Sequence, residues 1–171
     1  MCRGTSSSNA RSHWIRQVPT RIDDMKEQEP STLPTYEARL RVPFHDLDPM
    51  RVVWHGNYMK YFEIARDGLF ERLGVDLYEF SINRGYLFPV IRSSVKYIRP
   101  LFYREEFVCK AVLVEAKHKL VVEFELRLVE DGTLCARARS EQAACKLPEV
   151  ELMLRIPAEL RELLGQSRSS Q

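Results

Sequence analysis

The stretch that decides the fold runs from Phe44 to Arg66 and reads "FHDLDPMRVVWHGNYMKYFEIAR". Its first half holds two aspartates and two histidines around a proline, a composition typical of a turn. Its second half opens an apolar stripe at helical spacing, made by Tyr58, Phe62, Ala65, Leu69 and Leu73. Asn57 is predicted to cap this helix and Gly74 to end it. The sequence therefore predicts a polar turn that feeds directly into a long, buried helix.

Strand patterns flank this helix on both sides. "YEARLRVPF" at 36–44 alternates apolar with charged residues, and four more strand-like runs follow the helix after a loop. They read "YLFPVIRSSVKYIRP", "EFVCKAVLVEA", "KLVVEFELRLVE" and "TLCARARSEQAACKLP". Asp131-Gly132 predicts a hairpin between the last two, and "IPAELRELLG" predicts a short closing helix. This order predicts an α+β domain, with a single long helix lying on a curled antiparallel sheet.

The composition restricts the class of protein. A chain of 171 residues suits one domain. Polar composition predicts a disordered extension over 1–34, the folded domain over 35–165 and a disordered tail over 166–171. The extension lacks the apolar core of a signal peptide, and Met25 is a second candidate for the true start.

Charge, hydropathy and cysteine usage restrict the partners and the cellular compartment that the sequence suggests. A net charge of +2 gives no bulk attraction to nucleic acid, and no apolar run reaches the length of a membrane span. The four cysteines form no CxxC pair, which favours the reducing cytoplasm.

The order of elements and the motif at the turn resemble the hotdog fold, and more narrowly the 4-hydroxybenzoyl-CoA thioesterase-like acyl-CoA thioesterases. The family pattern is approximately aromatic-x-D-x-D-x-x-G-[VI]-V-[WY]-[HF]-x-[NS]-Y-x-x-[YFW]-[FL]-E-x-[AS]-R. The matching residues are Phe44, Asp46, Asp48, Val52, Val53, Trp54, His55, Asn57, Tyr58, Tyr61, Phe62, Glu63, Ala65 and Arg66. Arg51 departs from the pattern, because the family usually has glycine there.

The resemblance implies hydrolysis of an acyl-CoA thioester without a metal or cofactor. It makes Asp48, the second aspartate of the pair, the catalytic nucleophile or general base, and gives His55 an orienting or proton-transfer role. The start of the helix carries free N–H groups and partial positive charge, and the N–H groups near His55 and Gly56 would polarise the thioester carbonyl. His45 and Asp46 are interpreted as scaffolding, Asp46 through an Asx-type turn.

Substrate contacts are assigned more broadly. Asn57 is expected to cap the helix and Tyr58 to lie in the core, and both are also candidates for contact with the acyl group. Basic residues on the later strands are candidates for the phosphates of coenzyme A. They are Lys96, Arg99, Arg104, the run Lys117-His118-Lys119, Arg137 and Arg139.

Several alternatives stay open. Glu63 on the helix is a rival catalytic carboxylate, although contact with Arg66 or a partner chain is the simpler interpretation. Hydrolysis on acyl carrier protein would use the same residues and would need a basic docking patch. A non-catalytic acyl-CoA-binding protein is a third possibility. A homodimer or homotetramer is expected, with the site between subunits, because an isolated hotdog subunit leaves a sheet edge and apolar surface uncovered.

Overall fold

The computed structural model describes residues 33–166, and the predictions for 1–32 and 167–171 lie outside that range. It contains three α-helices, α1 (Tyr58–Arg72), α2 (Leu77–Arg84) and α3 (Ala158–Gln166). The strands in chain order are β1 (Thr35–Arg41), β2 (Tyr86–Leu87), β3 (Val90–Tyr97), β4 (Glu106–Glu115), β5 (Leu120–Leu128), β6 (Leu134–Gln142), β7 (Cys145–Lys146) and β8 (Glu151–Leu152).

A five-stranded antiparallel sheet carries the fold, in the order β1-β4-β5-β6-β3. Its inner face is apolar because alternate strand residues share one face. On β5 these are Leu120, Val122, Phe124, Leu126 and Leu128, all buried as predicted. Strand β3 forms one edge of this sheet, and the loop that follows β3 reaches the start of α1.

Helix α1 lies on the inner face of the sheet. Its predicted stripe is buried, and Phe62 packs against Phe124 of β5 with ring centroids 5.1 Å apart. Gly68 allows the helix to approach β1, since a Cβ there would lie 2.3 Å from the ring of Tyr36. A strip of the helix stays exposed, including Ile64. The predicted α+β hotdog arrangement is confirmed.

The stretch after α1 differs from the prediction of a plain loop, because it contains helix α2. Asp76 caps this helix by accepting hydrogen bonds from the N–H groups of Tyr78 and Glu79, and Gly85 ends it at φ 69°. Two predicted strands are also divided: their outer parts, β2 and β7, join the unpredicted strand β8 in a separate small sheet of order β2-β7-β8.

At the N-terminal side of the domain, the carbonyl of Pro34 accepts a hydrogen bond from Leu113 N–H. The ordered domain therefore includes Pro34. Within residues 33–166, no helix has the length and hydropathy needed to cross a membrane.

Candidate active site

The polar stretch 46–54 folds into a tight hairpin. Asp48 N–H donates to the carbonyl of Val52, and Trp54 N–H donates to the carbonyl of Asp46, each at 2.9 Å. Between them, Leu47 and Val53 form an antiparallel bridge. Asp48 therefore begins the turn at the tip, while Trp54 stands at the base, where helical backbone begins with His55. An extended strand rises about 3.3 Å per residue, so the step of two residues from Asp46 to Asp48 separates the base of the hairpin from its tip by about 7 Å.

Asp48 stabilises the turn at the hairpin tip with both its side chain and its carbonyl group. One carboxylate oxygen accepts a 2.8 Å hydrogen bond from Met50 N–H, and its carbonyl accepts one from Arg51 N–H at 2.9 Å. This is an Asx-type turn. The side chain is half-buried, and its second oxygen has no partner among residues 33–166. The carboxylate is thus oriented by one oxygen, while the other is open to a substrate.

Arg51 occupies a left-handed backbone position with φ 62°. Such a conformation costs a side chain-bearing residue roughly 1–2 kcal/mol and costs glycine little. This explains the glycine of the family pattern, which serves the turn after Asp48. Here the turn forms with arginine, whose side chain is exposed.

Asp46 ties the hairpin to α1, but not through the Asx-type turn expected from the sequence. Its buried carboxylate accepts a 2.6 Å hydrogen bond from Tyr61 OH and a second one from Lys60 Nζ. Burial alone would raise the pKa of Asp46, but the hydrogen bonds from Lys60 and Tyr61 outweigh it and hold the pKa below its usual value. The Asx-type turn belongs to Asp48 instead.

The backbone that enters α1 supplies hydrogen-bond donors. A 3₁₀ turn at His55–Asn57 precedes the helix. In the described part of the chain, the N–H groups of His55 and Gly56 have no acceptor, as expected for a first helical turn. The indole of Trp54 lies over Gly56, where a Cβ would come within 2.2 Å of the ring. Glycine at 56 thus allows this close packing beside the free donors.

His55 is exposed, and its backbone carbonyl accepts a hydrogen bond from a residue of the sheet. Tyr97 OH, at the end of β3, donates a 2.9 Å hydrogen bond to the carbonyl oxygen of His55. The His55 ring lies between Trp54, at a centroid distance of 5.0 Å, and Tyr97, at 6.4 Å. The edge strand thereby positions the start of the helix.

Asn57 and Tyr58 are anchors of this helix start. Asn57 does not cap α1 through its side chain, because its amide donates to the carbonyl of Asp46 at 3.0 Å. Tyr58 is buried, and its hydroxyl accepts a 3.1 Å hydrogen bond from Leu101 N–H. Burial raises the pKa of Tyr58 to about 12, so the hydroxyl stays neutral.

A cavity of about 130 Å³ opens between α1 and strands β3, β5 and β6. Met59 and Glu63 line its helix side, and Ser93, Phe124 and Ser140 line its sheet side. The Oγ atom of Ser140 is buried without a hydrogen-bond partner in the described residues. Met59 belongs to the first turn of α1, so the cavity reaches the N-terminal turn of this helix.

Glu63 contacts Arg66, as expected from the sequence. Burial raises the pKa of Glu63, and the charge of Arg66 offsets this only in part. A carboxylate in this position suits recognition of a polar group on the acyl chain, since it lines the cavity wall.

Most of the basic residues predicted to bind phosphate form ion pairs with glutamates. Arg137 and Arg139 share the outer sheet face as predicted, and they pair with Glu125 at 2.9 Å and Glu123 at 2.5 Å. Lys96 lies opposite Arg137 in the adjacent strand. The other paired candidates are Arg99 with Glu105, Lys119 with Glu141 and His118 with Glu115. A phosphate on this face would compete with carboxylates already bound there.

The structure unites Asp48, His55 and Gly56 in one hairpin-and-helix unit, and it adds residues that local patterns missed. Tyr97 is 42 residues from its acceptor His55, so no local spacing could reveal the contact. Lys60 and Tyr61 follow the predicted helix pattern, yet their shared partner Asp46 was visible only as a turn residue. No group of three or more metal-ligating side chains converges within residues 33–166.

Comparison with known families identifies the class of this fold and site. The family model described as the thioesterase-like superfamily matches residues 42–164, and the chain belongs to this superfamily. By class it is a hydrolase of thioesters. The membership predicted from the turn and helix motif is confirmed.

Individual relatives agree with this class. A putative esterase from Synechocystis is 28% identical over 141 residues, covering 81% of this chain and 84% of the relative. A 1,4-dihydroxy-2-naphthoyl-CoA hydrolase from Thermosynechococcus vestitus is 25% identical, covering 67% and 79%. Among solved structures, DHNA-CoA thioesterase from Staphylococcus aureus superposes with a TM-score of 0.70 at 23% identity, covering 79% and 91%. The last likeness supports the hotdog fold.

Proposed function

We propose that this protein hydrolyses an acyl-CoA thioester to the free acid and coenzyme A, with Asp48 as nucleophile or general base. The observation that carries the proposal is the position of the open Asp48 oxygen on the same hairpin as the free N–H groups of His55 and Gly56. A thioester bound between them would meet the carboxylate at its carbonyl carbon and the N–H groups at its carbonyl oxygen.

The donors at the start of α1 stabilise the charge that develops on the carbonyl oxygen. When Asp48 attacks the carbonyl carbon, a tetrahedral oxyanion forms opposite the N–H groups of His55 and Gly56. Its collapse expels the coenzyme A thiolate, which takes a proton, and water then hydrolyses the acyl–aspartate anhydride. With Asp48 as general base, water is deprotonated and attacks directly, and the products are the same. His55 borders this space and is our candidate for orienting the water.

The acyl group is proposed to enter the cavity beside Met59 and Glu63. Its volume suits a compact acyl group, and its wall combines apolar side chains with the polar residues Glu63, Ser93 and Ser140. The relative from Thermosynechococcus vestitus is named for an aromatic acyl-CoA substrate. Hydroxylated aromatic acyl-CoAs are therefore the first class to test. Lys96, Arg99, Arg137 and Arg139 remain our candidates for holding the coenzyme A phosphates.

A second copy of the chain is proposed to complete the site. Edge strand β3 and the loop after it expose apolar side chains, including Val90, Ile91 and Ile98 at 45–51% of their full surface. An uncovered apolar edge strand favours pairing with another strand. Because Tyr97 of this edge holds the carbonyl of His55, pairing would place the partner beside the helix start. We propose a homodimer or homotetramer, working in the cytoplasm, where buried Cys109, Cys135 and Cys145 stay reduced.

The test is a panel of aromatic, short and medium-chain acyl-CoAs, with release of free thiol as the readout. We expect turnover of at least one class, with hydroxylated aromatic acyl-CoAs preferred. Tight binding of acyl-CoA without thiol release would instead identify a non-catalytic binding protein. Glu63→Gln separates the rival carboxylates: we expect it to raise KM for the hydroxylated substrate with little change in kcat. A collapse of kcat in that variant would transfer the catalytic role to Glu63.

A further inference from the structure

An exposed surface beside the Asp48 turn combines large apolar side chains with arginines. Phe44 and Met50 are 74% and 72% exposed, and Tyr103 is 45% exposed. Phe44 and Tyr103 meet edge to face at a centroid distance of 5.9 Å. We call this surface the arginine–aromatic patch, and its members are Phe44, Met50, Tyr103, Arg41, Arg51 and Arg104.

The patch is built onto the hairpin that carries Asp48. Arg104 N–H donates to the carbonyl of Val42 at 3.1 Å, and the Arg41 guanidinium donates to the carbonyl of Arg104. Val53 N–H donates to the carbonyl of Leu101 at 2.9 Å, so the segment before β4 runs beside the hairpin. Met50 and Arg51 belong to the turn itself. A molecule bound on the patch therefore lies next to the open oxygen of Asp48.

The patch carries positive charge that the chain leaves available. Within residues 33–166, Arg41, Arg51 and Arg104 have no carboxylate within salt-bridge distance. The Arg104 guanidinium lies over the Tyr103 ring, 5.0 Å from its centroid. Two neighbouring acids are engaged, Glu105 with Arg99 and Glu106 with Arg39, while Glu130 lies across a cavity from Arg104. The patch thus presents a cationic, apolar face.

Taking the proposed thioesterase function as given, we propose that the arginine–aromatic patch docks an acidic acyl carrier protein that delivers its thioester to Asp48. Exposed Arg, Met and aromatic side chains are the types enriched in protein interfaces, and their arginines complement an acidic partner. Phe44 and Met50 protrude from the surface. The concave part of this region, a cavity of about 360 Å³ beside Tyr103 and Arg104, is also lined by Glu105, Glu106 and Glu130, whose charge disfavours the phosphates of a nucleotide. A protein that covers the protruding apolar side chains therefore suits the patch better than coenzyme A does.

The test compares one acyl group on two carriers, coenzyme A and an acidic acyl carrier protein bearing a phosphopantetheine arm. In the full chain, Arg41→Glu should lower kcat/KM for the acyl carrier protein by about tenfold or more and change that for acyl-CoA less than about twofold. Phe44→Ala should act in the same direction. Arg155→Glu is the matched control, since Arg155 is exposed and outside the patch, and it should leave both substrates unaffected.

Each other outcome contradicts the docking proposal. An equal loss with both carriers would show that the patch holds coenzyme A, and no loss with either would show that it holds neither. A smaller assembly of Arg41→Glu by light scattering would show that the patch joins two copies of this chain. If wild type hydrolyses neither thioester, the proposed function fails, and docking is decided by binding of the holo carrier protein. Binding that Arg41→Glu abolishes supports the patch, and binding that it preserves overturns it.

Discussion

Tyr97 OH donates a 2.9 Å hydrogen bond to the carbonyl oxygen of His55, which joins the edge strand of the sheet to the start of α1. This carbonyl belongs to the same peptide group as Gly56 N–H, one of our two proposed donors to the thioester carbonyl, so the bond orients that donor. Position matters at such a site, because small misplacement of a donor lowers the rate. In the proposed mechanism, the sheet edge thereby positions a donor without touching the reacting atoms.

Tyr97→Phe should therefore lower kcat/KM by about three- to tenfold, as a hydrogen bond of this kind is worth roughly 0.5–1.5 kcal/mol. Because Tyr97 is about half exposed, the melting temperature should change little. Kinetics of thiol release and thermal melting check both parts. Tyr78→Phe is the control, since that ring is 71% exposed on α2. Equal kinetics in Tyr97→Phe and wild type would contradict the positioning role.

Asp46 predicts a specific pH dependence of stability. Its pKa is lowered in the folded state, so its stabilisation is full above the unfolded pKa near 3.9 and disappears as pH falls through the folded pKa. Asp46→Asn should reduce the free energy of unfolding by about 1–3 kcal/mol at pH 7, because it loses charged hydrogen bonds. Urea unfolding at pH 7 and in acid measures the difference.

The difference in the free energy of unfolding between wild type and Asp46→Asn should become smaller in acid. Tyr61→Phe provides an independent comparison, because it removes one donor to Asp46 and should destabilise in the same direction. A gap of constant size from pH 7 down to pH 3 would show that the carboxylate charge does not contribute.

Arg51 tests the backbone of the catalytic turn. Arg51→Gly and Arg51→Ala both remove the side chain, but only glycine relieves the cost of φ 62°. The glycine variant should be more stable than the alanine variant by about 1 kcal/mol, measured by chemical denaturation. Equal stability of the two variants would indicate that the turn does not keep its left-handed residue.

The fold was predictable because its signals are local. The stripe from Tyr58 to Leu73 and the alternation of β5 each appear within one segment, and both are buried as predicted. Helix α2 was missed although Asp76 and Gly85, its cap and stop, are plain in the sequence. Its apolar residues form no buried stripe, since only Phe80 is buried while Tyr78 and Ile82 are exposed.

The site was only partly predictable, because its supports are distant in sequence. The motif singled out Asp48, His55 and Arg51, and the structure gives a reason for the glycine usually found at position 51. The contacts of Tyr97 with His55 and of Lys60 with Asp46 depend on the folded arrangement, as does the pairing of Arg137 and Arg139 with glutamates. Charge alone marked those arginines as free cations, whereas cross-strand partners neutralise them.

The most direct test of the central claim is Asp48→Asn, with Asp131→Asn as a matched control. Asp131 accepts a hydrogen bond from Thr133 N–H at 2.9 Å, the same two-residue contact that Asp48 makes with Met50. Asparagine can preserve either turn, but it can neither attack a thioester nor deprotonate water efficiently. We predict that folded Asp48→Asn loses kcat by about 100-fold or more, as for removal of a catalytic base, while Asp131→Asn stays within about twofold of wild type. Wild-type turnover in folded Asp48→Asn would contradict the account.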